Sequence, residues 1–370
     1  MIDLTIDVEA KKDLLAQFVG DKLQVLGAIL SVGNVSLNKV LFEEQDIPDK
    51  DVILQALREN LAKAQSDGLT WQNDIETSLA GVPQAVINYG TLFANALPNI
   101  RKLIKEDNPS NRDVLKQIFS GLVNSVGGQI ETLDKIKESI ALIAGDIKQD
   151  SDNFSENNQN FSQLEKIDEE NLKEARAAID SLNESINKYN KEITQKVIKA
   201  EEDLTIADIV ISAGGAIGKA AEPVEALGLA VGLCFIISAG LNIQELSSEI
   251  DALFQAAMQE AKHKMAITQL TEQLQCLHVT SSGLKAMVSE VQDIIDTLQG
   301  IIDGWEMIGS NLKAAENQLD DFSQPLDQIL SEFNLGRASA EWEEVVIFAQ
   351  KMEGLNILFG KQKLVTPRPD

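Results

Sequence analysis

The chain has 370 residues, a formal net charge of −26, 44% hydrophobic and only 5% aromatic residues, with eight prolines. An acidic surplus of this size excludes nucleic-acid binding, because a phosphate backbone must be neutralised by Lys and Arg, and it excludes simple electrostatic attraction to anionic lipid. The length allows a large core, ordinarily divided into two domains, and the surplus of Ala, Leu, Ile, Gln, Asn, Lys, Asp and Glu is that of a mainly helical protein.

Ile2, Leu4, Ile6 and Val8 alternate and permit a short strand or an extended arm. The acidic start MIDLTIDVEAKKDLL lacks a basic region followed by an apolar one, so no signal peptide is expected. A helix is expected over about Lys11 to Leu30, interrupted by Gly33 and Asn34. The turn IPDKD leads to a second over Val52 to Ala64, ended by SDG at 66–68. Thr77 to Ile100 is charge-free, yet its Gln84, Asn88, Tyr89, Thr91 and Asn95 suit a buried helix of the bundle core, with Pro83 kinking it or starting a turn. NPSNRD at 108–113 reads as a loop in which Ser110 or Asn111 caps the next helix.

From there Val126, Ile130, Leu133, Ile136, Ile140, Ile143 and Ile147 step by threes and fours. The series resumes from Leu172 to Val197 after an Asn-rich patch, SDNFSENNQNFSQ, through which the helix either passes or breaks. Unbroken, Asp113 to Asp203 would span about 135 Å. A matching series runs from Leu246 to Phe322, where Pro325 ends it. The two runs should fold back on each other as an antiparallel pair. A closing helix is expected near Ala338 to Leu355, followed by a frayed tail, LVTPRPD.

Between the two runs lies a charge-poor apolar block, Leu204 to Ile243. Its first arm, LTIADIVISAGGAIG, has one charge, Asp208. Its tip, KAAEPVE, is charged. Its second arm, ALGLAVGLCFIISAGLNI, has none over eighteen residues. As a helix the second arm would reach about 27 Å, close to the ~30 Å of a hydrocarbon core. Two strands alone cannot span lipid, because their edges stay unsatisfied. A β-tongue in the soluble form that becomes two helices in the membrane satisfies both constraints, and a helical hairpin in the soluble form is the other arrangement. The expected architecture is all-α: an elongated antiparallel bundle formed by 1–203 and 244–370, with 204–243 as an apolar head at one end.

The residues expected to enter lipid are Ile206, Ile209, Val210, Ile211 and Ile217 on the first arm. On the second they are Leu227, Leu229, Val231, Leu233, Phe235, Ile236, Ile237 and Leu241. Gly214 and Gly218, and Gly228 and Gly232, give each arm a small-xxx-small step that lets helices approach closely. Asp208, Glu222 and Glu225 are the acids that would have to be neutralised on entry. The competing reading is a hairpin buried in an ordinary core. A nucleotide loop in DIVISAGGAIGKAA fails in detail, since Ala213 replaces the first glycine of the dinucleotide fingerprint and Ala220 the Ser/Thr of a phosphate loop.

His263 and His278 have no Cys or carboxylate at ligand spacing, so neither a metal nor another cofactor is expected. Cys234 and Cys276 read as small apolar residues, Trp71, Trp305 and Trp342 as core, and nothing resembles a nucleophile with its base. An enzyme is not expected.

The layout resembles the cytolysin A superfamily of α-helical pore-forming toxins, which includes the hemolysin BL and non-hemolytic enterotoxin components, the helical nematicidal crystal toxins and the Mak (motility-associated killing factor) proteins. The resemblance rests on long helices either side of LTIADIVISAGGAIGKAAEPVEALGLAVGLCFIISAGLNI. GWEMIGSNLKAAENQL and SAEWEEVVIFAQKM also look like the C-terminal part of the crystal-toxin branch. It implies a soluble, secreted toxin or toxin component whose head meets target-cell membrane lipids, becomes helical and self-oligomerises, in many members with one or two partner subunits. The alternative is a non-toxic coiled-coil scaffold whose apolar hairpin docks a protein partner.

Overall fold

The structure is a computed structural model. It describes residues 3–33, 35–37, 40–42, 47–105, 108–165, scattered helical positions from 169 to 188, 208–213, 235–239, 269–321, 324–353 and 356–359. The helices are α1 (Val8–Gly33), α2 (Lys50–Thr70), α3 (Glu76–Leu79), α4 (Gly81–Ile104), α5 (Pro109–Gln159), α6 (Ser162–Glu165), α7 (Gln269–Gln318), α8 (Leu326–Glu332) and α9 (Leu335–Glu353). A single π-helical turn, Trp71–Ile75, joins α2 to α3. The strands are β1 (Asp208–Ala213), β2 (Phe235–Ala239) and β3 (Asn356–Phe359). The chain divides into two compact units, one of residues 1–19, 74–141 and 294–354, the other of 20–73, 142–293 and 355–370.

In the first unit residues 3–7 form an extended arm, not a strand. Leu4 is buried, and its N–H donates to the Phe333 carbonyl at 3.2 Å. Asp7 caps α1, its Oδ1 accepting from the Ala10 N–H at 3.0 Å, so the helix starts earlier than the apolar pattern indicated. Pro83 sits in the first turn of α4, where a missing N–H costs nothing, and the helix continues without a turn. The expected buried helix over 77–100 is thus α4, and it packs along α9. Tyr89 of α4 makes an edge contact with Trp305 of α7 (ring centroids 5.2 Å apart) and a tilted one with Trp342 of α9 (4.7 Å), and the two indoles stack at 5.8 Å. Aromatic pairs of this kind add about 0.5–1.5 kcal/mol each beyond the area they bury.

Gly90, one residue on, is what brings α9 so close. A Cβ there would lie 2.3 Å from Cγ2 of Val346, a β-branched side chain with little rotamer freedom in a helix. Gly90→Ala is therefore expected to destabilise the fold by about 1–3 kcal/mol despite the better helix propensity of alanine. A urea midpoint equal to or above that of the parent would contradict this.

The start of α5 differs from the sequence expectation. The cap is Asn108, whose Oδ1 accepts from the Asn111 N–H at 2.9 Å, with Pro109 as the first helical residue. Over its 51 residues α5 is roughly 76 Å long. It runs antiparallel to α7, as the two apolar series required. Within the first unit Lys116 meets Asp320 at 2.7 Å, Val126 lies against Gly309, and Lys137 reaches Gln299 at 2.6 Å. Within the second, Ser155 and Ser281 are hydrogen-bonded at 3.1 Å. In the first unit ascending positions on one helix meet descending positions on the other. The stripe of α5 (Leu122, Val126, Leu133, Ile140, Ile147) and that of α7 (Leu284, Val291, Leu298, Ile302, Leu312) are fully buried.

In the second unit the Asn-rich patch breaks the helix. Gln159 ends α5, a turn at Asn160 and Phe161 follows, and the buried Phe161 ring stacks on Phe42 at 4.7 Å. SDG does not end α2. Gly68 lies inside it, where an added Cβ would meet Ile29 of α1 at 2.9 Å, so the glycine is a point of close helix approach. The chain between α1 and α2 is tied down through its backbone carbonyls and N–H groups. Gln65 donates to those of Val32 and Val35, Arg58 to those of Leu37 and Val40, and Gln273 accepts the N–H groups of Leu41 and Phe42. Buried loop backbone needs such partners.

Candidate functional site

The second unit also holds the strands. β1 and β2, drawn from the two arms of the apolar block, pair antiparallel in the register Ile209↔Ala239, Val210↔Ser238, Ile211↔Ile237, Ser212↔Ile236 and Ala213↔Phe235. Each pair is equidistant in sequence from Val224, which lies in the charged stretch KAAEPVE expected as the tip. β1 is the middle strand of three, in the order β2-β1-β3, and β3 pairs with it in parallel. Of the two arrangements left open for the block, the described residues adopt the β form. This suits their composition, since Ile209, Val210, Ile211, Ile236 and Ile237 are β-branched and sit comfortably on a pleated sheet.

Asp208, Ile209, Val210 and Ile211 therefore stand on β1, and Phe235, Ile236 and Ile237 on β2. Ile206, Ile217, Leu227, Leu229, Val231, Leu233, Leu241, the four glycines 214, 218, 228 and 232, and the acids Glu222 and Glu225 lie outside the described residues. So do Cys234 and His263.

Among the described residues α1 is the one helix long and apolar enough to cross a membrane, but its apolar stretch is mostly buried in the protein. Its Leu23, Val25, Leu26 and Val32 are core residues. The tryptophans are core as expected, since Trp71, Trp305 and Trp342 are all buried. The void beside Trp305 and Trp342, bounded also by Lys11, Val86 and Val345, measures about 20 Å³, room for a single water. Cys276 is buried and its thiol is pushed up to about 11 by burial, which makes it unreactive.

The sequence also gave no sign of a carboxyl pair in the second unit. Asp67 on α2 is hydrogen-bonded to Asp150 on α5, with Asp146 nearby and Lys63 drawing on Asp150. Burial first, then the charges of Asp150 and Asp146, raise Asp67 from its ordinary 3.8 to about 6. The folded chain thus keeps a proton that the unfolded chain releases near 3.8, and stability is lost as pH rises through about 4–6. Asp67→Asn is expected to raise the melting temperature at pH 8, by the equivalent of about 1–2 kcal/mol after allowance for partial exposure, and to change it little at about pH 3.5, below the unfolded value. An unchanged or lower melting temperature at pH 8 would contradict the assignment.

The model of the family described as Bacillus haemolytic enterotoxin (HBL) matches residues 27–196, which run from α1 through α6 and stop short of β1. Among solved structures, soluble AhlB of the tripartite α-pore-forming toxin AHL from Aeromonas hydrophila has a TM-score of 0.71 at 16% identity, covering 96% of this chain and 97% of its own. The cytotoxin MakB from Vibrio cholerae has a TM-score of 0.70 at 14% identity, with 97% and 96% covered. The HblL1 toxin component of Bacillus cereus has 0.69 at 14%, with 97% and 100% covered. No curated protein matches. The fold is that of the soluble α-helical pore-forming toxin components. The resemblance to the cytolysin A superfamily read from the sequence is borne out by the enterotoxin family match over 27–196 and by these structures.

Proposed function

We infer that this chain is a component of an α-helical pore-forming cytotoxin whose residues 204–243 form a detachable head that enters a target membrane. The observation that carries this is the β1–β2 pair, a two-stranded tongue made from the two charge-poor arms of the block and carried on a toxin fold. With a net charge of −26 the protein gains little from lipid head groups, so burial of the apolar arms must drive binding. Inside lipid the strands cannot keep open edges, and both arms become helices that satisfy their own backbone and then assemble with other copies. Gly214, Gly218, Gly228 and Gly232 permit close packing of those helices. AhlB belongs to a tripartite system, and by analogy this chain works with one or two partner subunits. The protein is exported in soluble form and changes no covalent bond.

Dye release from liposomes at pH 5 and pH 7.5, alone and with the other components of a tripartite toxin such as AHL, tests this. Leakage or lipid binding supports the reading, and acid should favour entry by protonating Asp208, Glu222 and Glu225. The absence of both in every combination would leave a soluble scaffold, whose head should then bind a protein and ignore lipid.

A further inference from the structure

We propose that β3, the C-terminal strand Asn356–Phe359, is an autoinhibitory clasp that holds the tongue in its soluble form and must leave β1 before the head can convert. This rests on the membrane reading above and concerns what controls it.

The tongue is not a free pair of strands. β1 is the inner strand, paired on one side with β2 and on the other with β3 in the register Asp208↔Asn356, Ile209↔Ile357, Val210↔Leu358 and Ile211↔Phe359. β2 has β1 as its sheet neighbour and β3 has β1, so both outer strands depend on β1. A helix made from the first arm needs every backbone N–H and C=O that β1 now commits to its neighbours. Loss of β2 alone does not free β1, because four of its six residues stay paired with β3. Conversion of the first arm therefore requires a strand outside the apolar block to leave as well.

β3 has the character of a strand made to release. It is four residues long, shorter than the commonest strands, and glycines at 354 and 360 flank it closely. Its partner lies more than 140 residues earlier, so nothing local favours the strand once the pairing opens. Such a ladder is held chiefly by backbone bonds to β1, and a membrane, a partner subunit or proteolysis of the C-terminal segment could each remove it.

Two variants test this. In a Cys234→Ser, Cys276→Ala background, Ile211→Cys with Phe359→Cys places a disulfide between register partners. Oxidised, this chain should convert in detergent micelles or on liposomes at least tenfold more slowly than after reduction, followed as dye release or as the appearance of oligomers. Equal rates would overturn the clasp. Ile357→Pro with Leu358→Pro removes two successive N–H groups of β3, one of which faces β1 because they alternate in direction along a strand. Amide exchange over 208–211 should then quicken at least tenfold while that of α4 and α5 is unchanged. Unaltered exchange in β1 would equally overturn it. Should the reduced chain reach no membrane or micelle under any condition, the membrane reading fails, while the exchange result still decides whether β3 secures β1.

Discussion

Ile236→Asp is expected to reduce membrane-inserted protein at pH 7.5 by about a hundredfold while leaving the soluble fold unchanged. A carboxylate carried to the bilayer centre costs about 2.5–3.5 kcal/mol, and each 1.4 kcal/mol is a factor of ten. Position 236 lies on β2, paired with Ser212, and in the proposed inserted helix it falls within the eighteen uncharged residues 226–243. Ala230→Asp should act in the same way. The aromatic cluster of Tyr89, Trp305 and Trp342 belongs to the other unit, so the melting temperature should stay within about 2 °C of the parent. Acidification should restore part of the insertion as the new carboxyl is protonated. Flotation on liposomes measures the inserted fraction. Normal insertion of the variant at pH 7.5 would show that this arm does not enter lipid.

The second large effect is expected at Arg112. Its guanidinium is buried on α5 and donates to three carbonyls beyond the end of α7: Leu319 at 3.4 Å, Asp321 at 2.8 Å and Gln324 at 2.7 Å. A helix C-terminus leaves its last carbonyls without intrahelical partners, and a cation there also suits the helix dipole. Arg112→Met keeps much of the side-chain volume but strands those oxygens, at a cost of about 3–5 kcal/mol. Arg112→Lys should recover only part of it, because one ammonium cannot span the three acceptors. Urea unfolding of the soluble protein reads the loss directly, and a change below about 1 kcal/mol for Arg112→Met would mean that water replaces the guanidinium.

Most of the helical framework was legible because the signal is local. The steps of three and four in 126–147 and 284–319 define α5 and α7, and their antiparallel pairing follows from similar length either side of one block. What was missed depended on distant partners. Gly68 looks like a stop, yet it lies in mid-helix because Ile29 of α1 needs the space. Pro325 was read only as a terminator, while it also introduces α8 from an extended conformation, φ −62° and ψ 143°. Asn334, at φ 50°, then takes the left-handed turn into α9 that Asn tolerates better than most residues. NILF carries no alternation and no turn chemistry of its own. It is a strand only because β1, far upstream, offers an edge. The tongue itself was visible as a composition anomaly, and its strand form could be argued from what two arms can and cannot do in lipid.

A fluorophore sensitive to water, attached through Leu229→Cys in a Cys234→Ser, Cys276→Ala background, tests the central claim most directly. A control label goes on Leu142→Cys, a site 73% exposed on α5. With liposomes whose acyl chains carry nitroxide quenchers, at pH 5 and pH 7.5, the label at 229 should shift to the blue and be quenched, while that at 142 remains in water. A protein that floats with the liposomes while its label at 229 stays aqueous would contradict the account.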